Sequence, residues 1–315
     1  LNRLQGYFQL EKYTEKQVFH EKLTQDQAQS FLCNALQEHF RQYNGWDTSR
    51  EYQIRISAKG RVLCSRKAIP NQAPRAVQSH NRKKRYLLEE GMVIQLLVDL
   101  GIFTKEGKVI HAMYDKYKQI NRFLEMVDDV SDNLPRQRPL RVIDFGCGKS
   151  YLTFILYYYL TVIKKREVQM VGLDLKADVI EKCNQTARKY GYDGLHFELG
   201  DINGYQLAGE VDLVITLHAC DTATDYALFN AVSWGARVIL SVPCCQHELN
   251  GQIQSEQFSI LTRYGIVKER AASLMTDAIR ANLLECCGYK TQLLEFIDLA
   301  HTPKNILIRA VKRAP

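Results

Sequence analysis

The sequence predicts an α/β protein: a mostly parallel, doubly wound sheet of seven strands with helices on both faces, preceded by a small α+β domain of ββαββ order. Three observations carry this. The second half alternates short apolar runs with amphipathic stretches, as a parallel sheet with crossover helices requires. A glycine-containing turn, Asp144-Phe145-Gly146-Cys147-Gly148-Lys149-Ser150, joins the apolar run Val142-Ile143 to a helix candidate that begins at Tyr151. The 315 residues suffice for about two domains of about 150 each.

The elements follow in order. Leu4 to Tyr13 and Gln17 to Leu23 have strand character, and Thr24-Gln25-Asp26-Gln27 is a capping box opening a helix through about Gln42. In the hairpin that follows, Tyr52, Ile54 and Ile56 alternate with polar residues, Ala58-Lys59-Gly60 turns the chain, and Arg61 to Arg66 returns. Pro70 to Pro74 reads as a linker. A helix over Leu87 to Leu100 is ended by Gly101, and Met113, Tyr117, Ile120, Leu124 and Val127 recur at helical spacing.

Strands are then expected near 140–145, 167–173, 194–199, 211–217 and 236–242, alternating with helices near 150–163, 177–190 and 222–233. Further helices at about 253–264 and 270–287 lead to strands at about 289–298 and 304–312. The domains expected are a basic substrate-binding domain at 1–74, a helical linker and roof segment at 75–138, and the large sheet domain at 139–315.

Charge divides the chain sharply. Residues 1–90 hold 16 Lys and Arg against 9 Asp and Glu, a net +7, and the remaining residues hold 26 of each. The density is highest through Lys59, Arg61, Arg66, Lys67, Arg75, Arg82, Lys83, Lys84 and Arg85. Such a stripe is the electrostatic footprint of a nucleic-acid-binding module, with Lys59, Arg61, Arg82, Lys83, Lys84 and Arg85 as candidate contacts to a phosphate backbone. A solvated basic face is the plainer alternative, since no stacking-aromatic motif accompanies the charges.

Nine cysteines scattered without small-scaffold spacing read as reduced thiols, and no apolar run approaches the roughly 18 residues of a membrane span. With no signal-peptide pattern after Leu1, a cytoplasmic protein is expected. Cys33, Cys64, Cys147 and Cys183 read as small buried hydrophobes, and Cys286-Cys287 as packing.

The glycine turn admits three ligands, and spacing separates them. A phosphate loop needs a glycine five residues before its Gly-Lys-Ser, where Ile143 stands. A dinucleotide loop needs a third glycine where Tyr151 stands. What remains, Asp144, Gly146, Gly148 and Ser150 in an acidic-x-Gly-x-Gly-x-small pattern, resembles the first motif of the class I S-adenosylmethionine-dependent methyltransferases. Asp174, ending the second strand, is placed to take both ribose hydroxyls, with Leu175 beside it. The resemblance implies that Asp201 meets the adenine amino group while Ile202 packs on the ring, and that Cys147, Leu217 and His218 also line the cofactor site. Either aspartate alone could equally cap a helix or sit in a solvated loop. The final strand pair resembles the methyltransferase sheet, whose last strand inserts antiparallel.

Strand four ends in Leu217-His218-Ala219-Cys220-Asp221-Thr222, and strand five in Val242-Pro243-Cys244-Cys245-Gln246-His247-Glu248. These segments resemble a methyltransferase branch found in uncharacterised bacterial proteins and eukaryotic methyltransferase-like proteins, and also the tRNA acceptor-stem 2′-O-methyltransferases. The resemblance covers about residues 110–312. It implies catalytic roles among His218, Asp221, Cys244, Cys245 and His247. In the preferred mechanism a substrate hydroxyl or nitrogen attacks the methyl directly and His218 or Asp221 receives its proton. In a second, Cys244 or Cys245 adds to a pyrimidine ring. In a third, His218, Cys220, Cys244, Cys245 and His247 hold zinc; the spacing lacks a CxxC pair and adjacent cysteines seldom share an ion, so no metal is expected.

The Asn-Pro-Pro-Tyr-type signature of amino-group methyltransferases is missing after strand four, which lowers the weight of exocyclic base methylation. The expectation is therefore a methyltransferase acting on structured RNA, a tRNA or rRNA. A protein or small-molecule methyltransferase is the enzymatic alternative, and an RNA-binding protein that keeps a cofactor fold is the non-enzymatic one.

Overall fold

The computed structural model describes residues 1–315 except 5, 48, 58, 69–85, 149–150, 207–208, 218, 297–304 and 314–315, and the side chains at 3 and 4. The chain divides into two compact units, Leu1–Arg85 and Tyr86–Pro315.

In the first unit, strands β1 (Asn2–Leu4), β2 (Tyr7–Tyr13) and β3 (Val18–Leu23) form one antiparallel sheet. Helix α1 (Gln25–Glu38) follows, and β4 (Gln42–Trp46), β5 (Arg50–Ile56) and β6 (Val62–Ala68) form a second antiparallel sheet. The capping box is present: Thr24 Oγ1 accepts from the Gln27 N–H at 3.3 Å, and Gln27 Oε1 accepts from the Thr24 N–H at 2.9 Å. The ββαββ order gains a strand on each side of the helix. The helix stops at Glu38, short of Gln42, because Gln42 is taken into the sheet opposite Arg55.

The apolar core of this unit is thin. Leu10, Ala28 and Ala35 are its buried hydrophobic residues among those described. An apolar groove of about 400 Å³ is lined by Phe8, Leu32, Leu36, Tyr43 and Ile54. A domain of this size buries only about 60% of its unfolded surface, so modest stability follows.

The second unit opens with the short helix α2 (Gln95–Asp99) and the longer α3 (Tyr114–Asp128). The helix expected over Leu87–Leu100 is thus confined to its last turn and a half. Gly91 sits at φ +96°, which no right-handed helix permits, and the backbone of Leu88 is spent elsewhere. Its N–H donates to Asn121 Oδ1 at 2.8 Å, and its carbonyl accepts from the Tyr117 hydroxyl at 2.6 Å.

The sheet strands are β7 (Leu140–Phe145), β8 (Val168–Asp174), β9 (Leu195–Leu199), β10 (Leu213–Thr216), β11 (Val238–Ser241), β12 (Tyr289–Glu295) and β13 (Ile306–Lys312). Their order is β12-β13-β11-β10-β7-β8-β9. β7 to β11 run parallel, while β13 inserts antiparallel between β11 and β12. This is the expected doubly wound, Rossmann-like seven-stranded sheet with an antiparallel last strand.

Helices α4 (Tyr151–Tyr158), α5 (Ala177–Lys189), α6 (Thr222–Ser233), α7 (His247–Gln252), α8 (Ser259–Thr262) and α9 (Gly265–Cys286) cover it. α4 runs on into a π-helical turn at Tyr159–Ile163. The helix expected at about 253–264 is replaced by α7, an extended stretch from Ile253, and the single turn α8.

Strand side chains alternate between two cores, as the pleat demands. Leu140, Val142, Leu213, Ile215, Val238 and Leu240 face α3, α4 and α5. Ile143, Phe145, Val214 and Ile239 face α6 and α9. Among the described residues no helix is long and apolar enough to cross a membrane.

Candidate active site

Because β7 to β11 are parallel, their carboxyl ends lie along one edge of the sheet. The chain moves outward from β7 to β8 and β9, then returns to the other side of β7 as β10. Ligands of such sheets bind at this reversal. The loops that meet there are Gly146–Gly148 after β7, Asp174–Lys176 after β8, Gly200–Ile202 after β9, Leu217–Asp221 after β10 and Val242–His247 after β11.

The loop after β7 is held open by its glycines. Gly146 and Gly148 lie at φ +67° and +53°, where a side chain would be strained, and the backbone there is bare. The N–H groups of Gly146 and Cys147 donate to the Leu173 carbonyl at 2.9 and 3.1 Å. The Gly148 N–H donates to Asp174 Oδ2 at 2.9 Å, and the Lys176 N–H to Asp174 Oδ1 at 3.0 Å. Each carboxylate oxygen thus accepts one backbone hydrogen bond in a fixed orientation and keeps acceptor capacity for a hydroxyl pair.

That arrangement fits a ribose, and the bare glycine backbone beside it fits the close approach of an aminoacyl chain. Asp201 is exposed and accepts the Asn203 N–H on Oδ1 at 2.9 Å; the next residue, Ile202, packs partly into the core while its carbonyl accepts from Asn230 at 2.7 Å. Leu217 is buried, whereas Leu175 is 69% exposed. Tyr151, which replaces the third glycine, carries the Lys116 ammonium over its ring at 4.3 Å, so α3 adjoins the loop.

Asp144 lies beneath the loop and is 3% exposed. Its Oδ2 accepts from the Thr153 hydroxyl of α4. Burial lifts its carboxyl from 3.8 to about 7, against the pull of the Thr153 hydrogen bond. Cys147 is buried with its thiol toward Gly172, where an added Cβ would approach Sγ to 3.3 Å.

At the ends of β10 and β11 three thiols converge. Cys220 Sγ lies 3.1 Å from Cys244 Sγ, which lies 3.7 Å from Cys245 Sγ, and all three are within 4.8 Å of one another. Burial, then the Cys220 and Cys245 thiols, push the Cys244 thiol up to about 12. Asp221, next to Cys220, occupies φ 51°, ψ −122°, a region almost closed to non-glycine residues. Its Oδ1 accepts the Glu248 N–H at 3.4 Å. His247 is the exposed first residue of α7 and stands outside the thiol group.

The strained turn at Asp221 is secured from α9. Arg280, 3% exposed, donates from Nη2 to the Asp221 carbonyl at 2.8 Å, and from Nε and Nη2 to the two Asp225 oxygens at 2.7 and 2.9 Å. Its Nη1 meets Asp277 at 3.4 Å. Asp277 accepts in turn from Gln246 Nε2 at 3.2 Å, and the Ser273 hydroxyl donates to Gln246 Oε1 at 2.9 Å. Burial holds the Asp277 carboxyl above its usual range although Gln246 and Arg280 pull it down. One buried cluster on α9 thus anchors both motif loops.

Of the sequence-predicted residues, the structure brings Gly146, Cys147, Gly148 and Asp174 together around one loop, and Cys220, the neighbour of Asp221, beside Cys244 and Cys245. Ser150, His218, Arg82, Lys83, Lys84 and Arg85 lie outside the described residues. Lys59 and Arg61 are exposed at the β5–β6 turn. Cys183 is buried as expected, but Cys33, Cys64, Cys286 and Cys287 are exposed, so the reading of these four as packing residues is corrected. Cys64 lies on β6, which is exposed along its whole length, and Cys33 lines the open apolar groove of the first unit. Thr153, Arg280, Asp277 and Ser273 escaped sequence reasoning; their only signal was a polar residue on a buried helix face.

Residues 115–252, less than half of the chain, match a family model described as a methyltransferase domain. Among curated proteins none matches the sequence significantly. Solved structures with a similar fold include a citrinin polyketide synthase CMeT domain, at 15% identity and TM-score 0.40, covering 62% of this chain and 54% of that one. Another is the SAH-bound methyltransferase PaMTH1 of Podospora anserina, at 17% identity and TM-score 0.39, covering 60% and 77%. A third is the magnesium protoporphyrin IX methyltransferase of Synechocystis PCC 6803 with bound SAH, at 18% identity and TM-score 0.38, covering 66% and 89%. The chain thus spans about half of the polyketide synthase chain it matches. Over residues 115–252 the chain is thus similar to a methyltransferase domain.

Proposed function

We propose that this chain methylates structured RNA, such as a tRNA or rRNA, in the cytoplasm, with the unit Leu1–Arg85 holding the RNA. The observation that carries the acceptor is the partition of charge. Leu1–Arg85 holds 16 Lys and Arg against 7 Asp and Glu, a net +9, and Tyr86–Pro315 holds 26 against 28, a net −2. Neutralised phosphates release counterions, so a surface of this kind favours a polyanion.

The second sheet of that unit supports the reading. Strand partners in register share a face, so Trp46, Glu51 and Lys67 lie across one face together with Gln42, Arg55 and Leu63. Trp46 is 56% exposed there, opposite Glu51 with Lys67 one strand further and Arg55 at the far end of the face, an aromatic ring on which an unpaired base can stack. The nine cysteines are all outside disulfides, in line with a reducing compartment.

When bound, S-adenosylmethionine supplies an electrophilic methyl group to an in-line nucleophile. Asp174 orients the ribose, the Gly146–Gly148 backbone receives the aminoacyl end, and Asp201 and Ile202 receive the adenine. Asp221, with His218, takes the proton of the attacking hydroxyl or nitrogen, its orientation set by Arg280. The raised Cys244 thiol is protonated at neutral pH, which weighs against its adding to a pyrimidine ring.

The test is methyl labelling from S-adenosylmethionine into separated RNA, protein and small-molecule fractions. Label is expected in RNA, lost with Asp174→Ala, and weakened through a higher KM when Trp46, Arg55 and Lys67 are replaced by alanine. Label confined to the protein or small-molecule fraction would overturn the acceptor. Cofactor binding without label in any fraction would favour the RNA-binding alternative.

A further inference from the structure

We infer that Cys220, Cys244 and Cys245 form a zinc-binding site at the carboxyl ends of β10 and β11. Four-coordinate zinc holds thiolates at about 2.3 Å, which sets their sulfur atoms about 3.8 Å apart in a tetrahedron. The adjacent Cys244 and Cys245 sulfurs are 3.7 Å apart, so these two neighbours already present a chelating pair. Cys220 arrives from the other strand at 3.1 Å from Cys244 and within 4.8 Å of Cys245. Opening the first of those distances by about 0.7 Å and bringing the second to about 3.8 Å completes a three-sulfur face. The expectation of no metal rested on the missing CxxC pair and on adjacent cysteines seldom sharing an ion; here the adjacent sulfurs lie at a chelating separation, with the Cys220 thiol against them.

The loops that carry the thiols are fixed before any ion arrives. Cys220 precedes Asp221, whose carbonyl is held by Arg280, and Cys245 precedes Gln246, held by Asp277 and Ser273. These bonds hold the residues next to the thiols and so fix the loops that carry them, the part outer groups play around a metal site. Cys220 is exposed while Cys244 and Cys245 are partly buried, so the fourth position opens toward solvent, where water completes the shell. On binding, each S–H bond breaks and its proton passes to solvent. Three thiolates and one Zn²⁺ then carry a net charge of −1, with no change of oxidation state.

The experiment uses the full chain, purified under reducing conditions without chelator from zinc-supplemented medium. Elemental analysis is expected to find about one zinc per chain, and cobalt loading to give a sulfur-to-cobalt charge-transfer band with tetrahedral ligand-field absorption. Both are expected to vanish in Cys220→Ser, Cys244→Ser and Cys245→Ser, and to persist in Cys286→Ser and Cys287→Ser. Native alkylation with peptide mapping provides a readout that tolerates poorly folding variants. In the wild-type protein Cys220, Cys244 and Cys245 should be protected with zinc and modified after chelation, while Cys286 and Cys287 react in both states. Zinc-free protein without a cobalt band, zinc retained by the triple serine variant, or a Cys220–Cys244 disulfide in the reduced preparation would each overturn the site.

Discussion

Replacing Asp144 by asparagine should stabilise the large unit, and by an amount that depends on pH. The carboxyl is buried and titrates at about 7 in place of 3.8. At about 1.36 kcal/mol for each pH unit, that displacement corresponds to about 4 kcal/mol. The sign follows from proton binding. Between about pH 4 and pH 7 the folded chain holds a proton at Asp144 that the unfolded chain has released, so stability falls as pH rises through this window. Above about pH 7 the whole cost is present.

Asparagine is neutral at every pH and still accepts the Thr153 hydrogen bond. The variant should match the wild type near pH 4 and exceed it by up to about 4 kcal/mol near pH 8. The chain has two tryptophans, Trp46 and Trp234, and Trp234 stacks on Phe145 with ring centroids 5.6 Å apart. In a Trp46→Phe background, denaturant unfolding followed by fluorescence therefore reports the structure next to Asp144. A difference that does not change with pH, or a wild type that is more stable at alkaline pH, would refute the burial argument.

Asp174→Ala removes a carboxylate that two backbone N–H groups orient. Calorimetry with S-adenosylhomocysteine should show binding weakened about 10- to 100-fold, the worth of a charged hydrogen bond, whereas unchanged affinity would remove Asp174 from the cofactor site. Gly172→Ala would set a Cβ 2.5 Å from the Phe197 ring. A loss of about 1–3 kcal/mol is expected in denaturant unfolding, partly restored by Phe197→Leu. Arg280→Met leaves buried Asp277 without its cation and frees the Asp221 turn. It should cost about 3–5 kcal/mol, and Arg280→Lys should not restore methyl transfer, because one ammonium cannot grip Asp225 with two parallel bonds while holding the Asp221 carbonyl.

The sheet was legible because its signal is local. Apolar runs of strand length alternating with amphipathic helices report which residues are buried, and Thr222–Ser233 and Leu140–Phe145 appear where their periodicity places them. The stretch after Tyr86 was misread for a reason equally local in origin and tertiary in outcome. Its apolar spacing suits a helix, but Gly91 breaks the conformation and Asn121 and Tyr117 claim the Leu88 backbone.

By itself, the sequence determined the succession of strands in the large sheet, the open glycine loop and the carboxylate at the end of β8, since each depends on backbone preference and burial within a few residues. Only the tertiary structure decided that Asp144 turns inward to Thr153, that Arg280 secures Asp221 from 59 positions away, and that Cys220 meets Cys244 across two strands. Charge, hydrogen bonding and metal affinity belong to the side chains a residue meets in space. For the residues that would do the chemistry, those neighbours come from other strands and helices, where no periodicity along the chain points to them.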